Sequence, residues 1–258
     1  DITAVAGILN GTTNFILNKM IRDKMSFSDA LTLAQEKGYA ERNPAADVEG
    51  HDACRKICIL SSLIFGRHVY PEHVYTKGIE TITLEDVELA NTFDCAIKLI
   101  AQVKRLENGD ILPTVMPMLV PSSNLLHHVN GVFNAIFVRG NVLGDAMFYG
   151  SGAGKLPTAS AVVADVVEMA KNVDKNIPVK WSSKKLELVD YRSAENRFFV
   201  RVSGTDKTFV EKVFGNVEYI DAQGVTGELG FVTEVMTEEA LENKKAAYGE
   251  VLNVIRVA

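Results

Sequence analysis

The chain has 258 residues, 47% of them hydrophobic and 23% charged, with a net charge of -6. That is enough apolar material for one large domain or two ordinary ones, and the acidic balance argues against a nucleic-acid partner. No apolar run approaches the ~18 residues of a membrane span and no cleavable signal pattern opens the chain, so a cytoplasmic protein without a membrane partner is expected.

Ile2–Asn10 reads as a strand ending at Gly11. Thr12 or Thr13 can cap a helix that carries Phe15, Ile16, Leu17, Met20 and Ile21 at helical spacing. A second helix follows Ser26 and stops at Gly38. Pro44 and the Asp47/Gly50 region predict a loop running into a helix that begins between those two residues and continues toward Phe65. Thr83 and Asp86 form a capping signature for a short helix. The period then changes: 96–105 and 111–120 flank Asn108-Gly109, and 134–139 and 142–149 flank Gly140-Asn141, two hairpin signals. The middle of the chain should therefore be a sheet of four or five strands, screened on one face by the preceding helices. His127 and His128 fall between the hairpins with no acid or cysteine at ligand spacing. Pro157–Asn172 predicts a helix apolar on most sides, suited to burial between two bodies. Cys54, Cys58 and Cys95 are odd in number and lack metal spacing, which reads as reduced core thiols; no metal site is expected.

Beyond a polar boundary at 175–196, the order strand, helix, strand, strand, helix, strand over 197–258 matches the ferredoxin-like plan. The expected fold is α+β, with one domain at 1–178, a linker at 179–196 and a second domain at 197–258.

Chemistry concentrates in Gly38–Lys56, GYAERNPAADVEGHDACRK. Glu41, Asp47, Glu49 and Asp52 precede Arg55 and Lys56, and Asp52 and Lys56 share one helix face at i,i+4. Carboxylates and an amine converging on a loop–helix junction suit a small zwitterionic substrate. An exposed ion pair worth about 0.3–0.5 kcal/mol is the alternative reading of Asp52 and Lys56.

GILNGTTNFILNKM (7–20), FSDALTLAQEKGYAE (27–41), DVEGHDACRK (47–56) and GSGAGKLPTASAVVADVV (150–167) occur in that order. Together they resemble homoserine dehydrogenase over roughly residues 1–172. The resemblance implies NAD(P)-dependent interconversion of L-homoserine and L-aspartate 4-semialdehyde, a step toward threonine, methionine and isoleucine. It gives Lys56 as proton donor to the reacting oxygen and Asp52 as substrate-binding carboxylate and partner of that lysine. Glu41, Asp47 and Thr12 fall at substrate positions, and Gly38, Glu41, Gly150, Gly152 and Gly154 at cofactor positions. The family's second lysine and the carbonyls that hold a sodium ion match nothing here. Family members begin with a dinucleotide-binding domain, yet no G-x-G-x-x-G followed by a helix occurs in this chain. The sequence therefore reads as the substrate-side and C-terminal part of a longer enzyme, inactive alone. The C-terminal region resembles the ACT domain, an amino-acid-sensing module, although Ser203-Gly204-Thr205-Asp206 replaces its usual Asp-x-Pro-Gly turn. Homodimers or higher homo-oligomers through the mid-chain sheet are expected. A non-catalytic amino-acid-binding and oligomerising module is the alternative, and a related dehydrogenase of another amino acid a third.

Overall fold

The computed structural model describes residues 1–258. β1 (Ile2–Ile8) leads into α1 (Gly11–Asp23). Asn10, not Thr12 or Thr13, caps that helix: its side-chain oxygen accepts from the Thr13 backbone N–H at 2.9 Å. α2 (Phe27–Glu36) is capped by Ser26 and ends before Gly38, which stands at φ +71°. The single helix expected from Asp47–Gly50 onward is two pieces. α3 (Ala45–Val48) stops, Gly50 turns the chain at φ +84°, and α4 (His51–Phe65) begins. That positive φ is cheap only for glycine.

β2 (Arg67–His68) and β3 (Tyr75–Thr76) are short strands, and α5 (Leu84–Thr92) opens with the full Thr83/Asp86 capping box. The hairpins follow as β4 (Cys95–Arg105) with β5 (Ile111–Pro121), and β6 (Phe133–Gly140) with β7 (Gly144–Ser151), separated by a 3-10 turn at Leu125–His128. α6 (Lys155–Lys171) starts two residues before Pro157; a first-turn N–H has no intrahelical partner, so proline costs nothing there. The remaining elements are β8 (Ser182–Lys185), β9 (Glu195–Asn196), β10 (Phe198–Ser203), α7 (Lys207–Phe214), β11 (Val217–Ile220), β12 (Glu228–Thr233), β13 (Met236–Thr237), α8 (Glu238–Tyr248) and β14 (Val251–Val257).

The fold is mixed α and β. One sheet runs β11-β12-β10-β14-β5-β4-β1-β6-β7, and β3 also pairs with β5. All its pairings are antiparallel except β14 with β5 and β3 with β5. The outer edge of β5 is thus shared: Tyr75 and Thr76 lie against Thr114 and Val115, Arg256 and Val257 against Met118 and Leu119. Pro113, Pro117 and Pro121 explain why those pairings are short. Val115 and Leu119, in the same phase, accept on that edge from Lys77 and Ala258, so the missing proline N–H groups face it too. The ladder to β4 stays intact over its whole length.

Helices α1 to α5 cover one face of this sheet, and a core of 33 buried residues, among them Ile16, Leu17, Ile57, Val87 and Leu119, lies beneath them. Four strands at one end of the sheet, β11-β12-β10-β14, with α7 and α8 packed on one face over Phe198 and Phe231, follow the ferredoxin-like plan. Their other face adds Phe199, Ile220, Val232 and Ile255 to the main core. The 179–196 stretch carries two short strands: β8 runs parallel to β2, Trp181 donates to His68 Nδ1, and Val189 N–H reaches Ile111. α6 has no buried residue on any side; Leu156, Val162, Val163, Val166 and Met169 are all exposed.

Candidate active site

Asn10 organises the acidic cluster. Its Nδ2 donates to Asp47 Oδ1 at 2.7 Å and to Asp52 Oδ2 at 2.9 Å, tying the start of α1 to α3 and to the first turn of α4. The same Asp52 oxygen accepts from Lys56 Nζ at 2.8 Å, and Nζ also donates to the Leu9 carbonyl at 3.0 Å. Lys56 is 46% exposed at its side chain and Asp52 30%, so the pair can be reached by a ligand. Burial raises the Asp47 carboxyl above its ordinary value, assisted by the charges of Asp52 and Glu41 and opposed by the Asn10 amide. A half-buried carboxylate held this way gains more from a cation than an exposed one would.

Around this centre the other expected positions fall unevenly. Thr12 spends its hydroxyl proton on the Tyr39 carbonyl at 2.7 Å, which binds the Gly38–Glu41 turn to α1. Glu41 is exposed and near enough to act on Asp47; its backbone carbonyl accepts from Gln35. Glu49 is exposed and pairs with His51. Gly38 faces open space.

Lys56 also lines a cleft of about 410 Å³ whose opposite wall is Phe148, Tyr149, Gly150, Ser151 and Gly152, with Leu9, Ile59 and Asn134 between. Gly150 has no atom within 4 Å of where a Cβ would stand, leaving its backbone open to the cleft. At Gly152 a Cβ would lie 2.2 Å from Asn134 Nδ2, so any larger residue requires that amide to move. Gly154, at φ +117°, precedes α6 and does not line the cleft. Lys56 is therefore the one expected residue common to the acidic cluster and the glycine turn.

Sequence reasoning missed Asn10, Asn134 and Lys98. An asparagine before Gly-Thr-Thr at a strand end is a helix-cap signal and could have marked Asn10. Lys98 is buried in β4 and donates to Val129 O, Asn14 Oδ1 and Asn130 Oδ1; burial brings its pKa down to about 8. His127 and His128 bond the carbonyls of Val120 and Ser122, and no group of three or more His, Cys, Asp or Glu side chains could hold a metal ion. The three cysteines are free and buried.

The model of the homoserine dehydrogenase family matches residues 1–167. The chain belongs to the homoserine dehydrogenase family. The homoserine dehydrogenase of Lactococcus lactis is 39% identical over 210 residues, covering 80% of this chain and 49% of that protein. The crystal structure of a homoserine dehydrogenase from Thiobacillus denitrificans superposes with a TM-score of 0.87 at 32% identity, covering 100% of this chain and 64% of that one. A hyperthermophilic archaeal homoserine dehydrogenase mutant in complex with NADPH gives a TM-score of 0.56 at 31% identity, over 69% of this chain and 49% of that one. The chain spans about half the length of the curated relatives it matches.

Proposed function

We propose that this chain is the substrate-binding and catalytic part of an NAD(P)-dependent homoserine dehydrogenase, serving threonine, methionine and isoleucine synthesis. The observation that carries the reading is Lys56: its amine, fixed by Asp52 and the Leu9 carbonyl, stands where the acidic cluster meets the cleft bounded by Gly150 and Gly152. A substrate ammonium would meet Asp47, Asp52 and Glu41, since burying it unpaired costs several kcal/mol. Lys56 then donates its proton to the aldehyde oxygen in the reducing direction and takes it back in the oxidising one.

The open backbone at Gly150 and the apolar wall of Phe148 and Tyr149 fit the nicotinamide end of a dinucleotide, with Gly152 beside them; Gly38, Glu41 and Gly154 do not line this cleft and are given to the cofactor by the family resemblance alone. When bound, that cofactor supplies or accepts the hydride. Its adenosine and pyrophosphate are assigned to a domain outside these 258 residues, as is any sodium ion. The exposed apolar α6 is a natural seat for that domain. The C-terminal ferredoxin-like unit is read as an ACT-like domain, and the sheet face opposite α1 to α5 as a homodimer contact: Ala4, Ala6, Met118, Val120 and Phe137 line a hollow of about 490 Å³ there.

Assay of the intact enzyme with homoserine and each dinucleotide tests the reading. Turnover is expected with homoserine and none from the 258 residues alone; failure to oxidise homoserine would overturn the substrate assignment, and turnover by the 258 residues alone would overturn the placement of the cofactor.

A further inference from the structure

The acid-bearing helix α3 rests on the segment that leaves β3. Ile79 N–H donates to the Val48 carbonyl at 2.8 Å, and Gly78 lies so close that a Cβ would stand 2.1 Å from that oxygen and 2.5 Å from Glu49 Cα. Gly50 in turn meets the Thr76 methyl, with a Cβ position 3.2 Å away. Asp47 and Asp52 flank these contacts in sequence, so residues 76–79 form the floor on which the acidic turn sits.

That floor is held from the far end of the chain. Lys77 Nζ donates to the Val254 carbonyl of β14 at 3.1 Å. Asn253, on the same strand, donates to the Thr81 carbonyl at 3.0 Å and to Asp86 Oδ2 at 2.7 Å. Asp86 is fully buried; it caps α5 through Thr83 and pairs with Arg201 of β10 at 2.7 Å. Residues 77–86 are thus fastened to β10 and β14 at four side chains, Lys77, Asp86, Arg201 and Asn253. β3 and β14 also share one edge of β5, so the floor and its fastening cannot slide independently.

We infer that Lys77 and Asn253 are positioning residues for substrate binding: through the Thr76–Ile79 floor, β14 of the C-terminal unit sets the placement of Asp47 and Asp52. The inference rests on the reading of those acids as the ammonium site. Its reach is selective. The Gly150–Gly152 wall is carried by β7 at the opposite end of the sheet and makes none of these contacts, so affinity for the small amino acid should respond while affinity for the dinucleotide should not.

The test uses the intact dehydrogenase carrying this chain with its dinucleotide-binding domain. Lys77→Met and Asn253→Leu should each raise the homoserine KM by about five- to tenfold. The dinucleotide KM should stay within about twofold, a change of less than half a kcal/mol. Lys77→Arg, which keeps a donor at that position, should restore most of the loss. Melting temperature is recorded beside each: a lowered Tm with an unchanged homoserine KM means the contacts are merely structural and overturns the inference. An equal rise in both KM values does the same. If Asn253→Leu fails to fold, Lys77→Met and Lys77→Arg decide. Asp47→Asn is measured in parallel: if it leaves the homoserine KM unchanged, the acidic site itself is misread and the inference falls with it. If Asp47→Asn raises the KM and the Lys77 variant does not, only the inference is lost.

Discussion

The two walls of the candidate site are built to different standards of completeness. On the acidic side the central groups have partners within the chain: Asn10 bridges two carboxylates, Lys56 is held at two points, and α3 sits on a floor tied to β14. On the glycine side the backbone of Gly150 is bare, Phe148 and Tyr149 are exposed, and α6 has no covered face. A wall that is finished can bind without help, whereas one that exposes this much apolar surface is shaped for something to be laid against it. The difference accords with the proposed division, in which these residues hold the small zwitterion and the larger ligand lies astride a second surface.

The comparison breaks most visibly at Lys56. In the intact enzyme Lys56→Ala should lower kcat by ~10²–10⁴-fold, with a smaller change in homoserine affinity. A kcat within twofold of the parent would reduce the amine to half of a surface ion pair. Glu41→Ala, by contrast, should act mainly on the homoserine KM, by roughly tenfold. On the glycine wall, Gly152→Ala drives a methyl into Asn134 and should cost about 1–3 kcal/mol of stability by denaturant titration. Combining it with Asn134→Ser should return part of that, because the obstructing amide is gone.

Lys98 offers a pH-resolved comparison. Its proton leaves the folded chain near pH 8 but the unfolded chain only near the ordinary lysine value of 10.5. Between those values the unfolded state binds more protons, so this group makes stability rise with pH across that window. Lys98→Met should flatten the rise and, by stranding the Val129 carbonyl and Asn14, lower stability at pH 7 by about 1–3 kcal/mol. The smallest effect is expected at α6: Val163→Lys should leave the stability of the 258 residues within about 0.5 kcal/mol, while weakening dinucleotide-dependent activity of the intact enzyme. A large loss of stability would mean that α6 is already packed within this chain.

The elements whose pattern is local were readable from the residues. α4 keeps its apolar face through Ala53, Ile57 and Leu60, the α5 capping box is spelled out by Thr83 and Asp86, and Asn108-Gly109 marks its hairpin. What escaped depends on partners distant in sequence. Asn10 looks like the end of a strand until Asp47 and Asp52 fold over it, and Gly78 is an ordinary loop glycine until Val48 arrives beside it. The short strands β2, β3, β8 and β9 carry no periodicity at two to four residues and exist because an edge is offered to them. The break at Gly50 was also hidden, since Asp47–Phe65 is compatible with one helix until the positive φ is seen.

The divided edge of β5 has a consequence for synthesis. Its second half finds its partner only in β14, a strand that leaves the ribosome long after it. Until then a long apolar strand stands with part of its hydrogen-bonding edge open, and closing so distant a pair is slow. The three prolines on that edge deny an incoming foreign strand a continuous row of donors, so the same residues that limit native pairing also guard the nascent chain against aggregation.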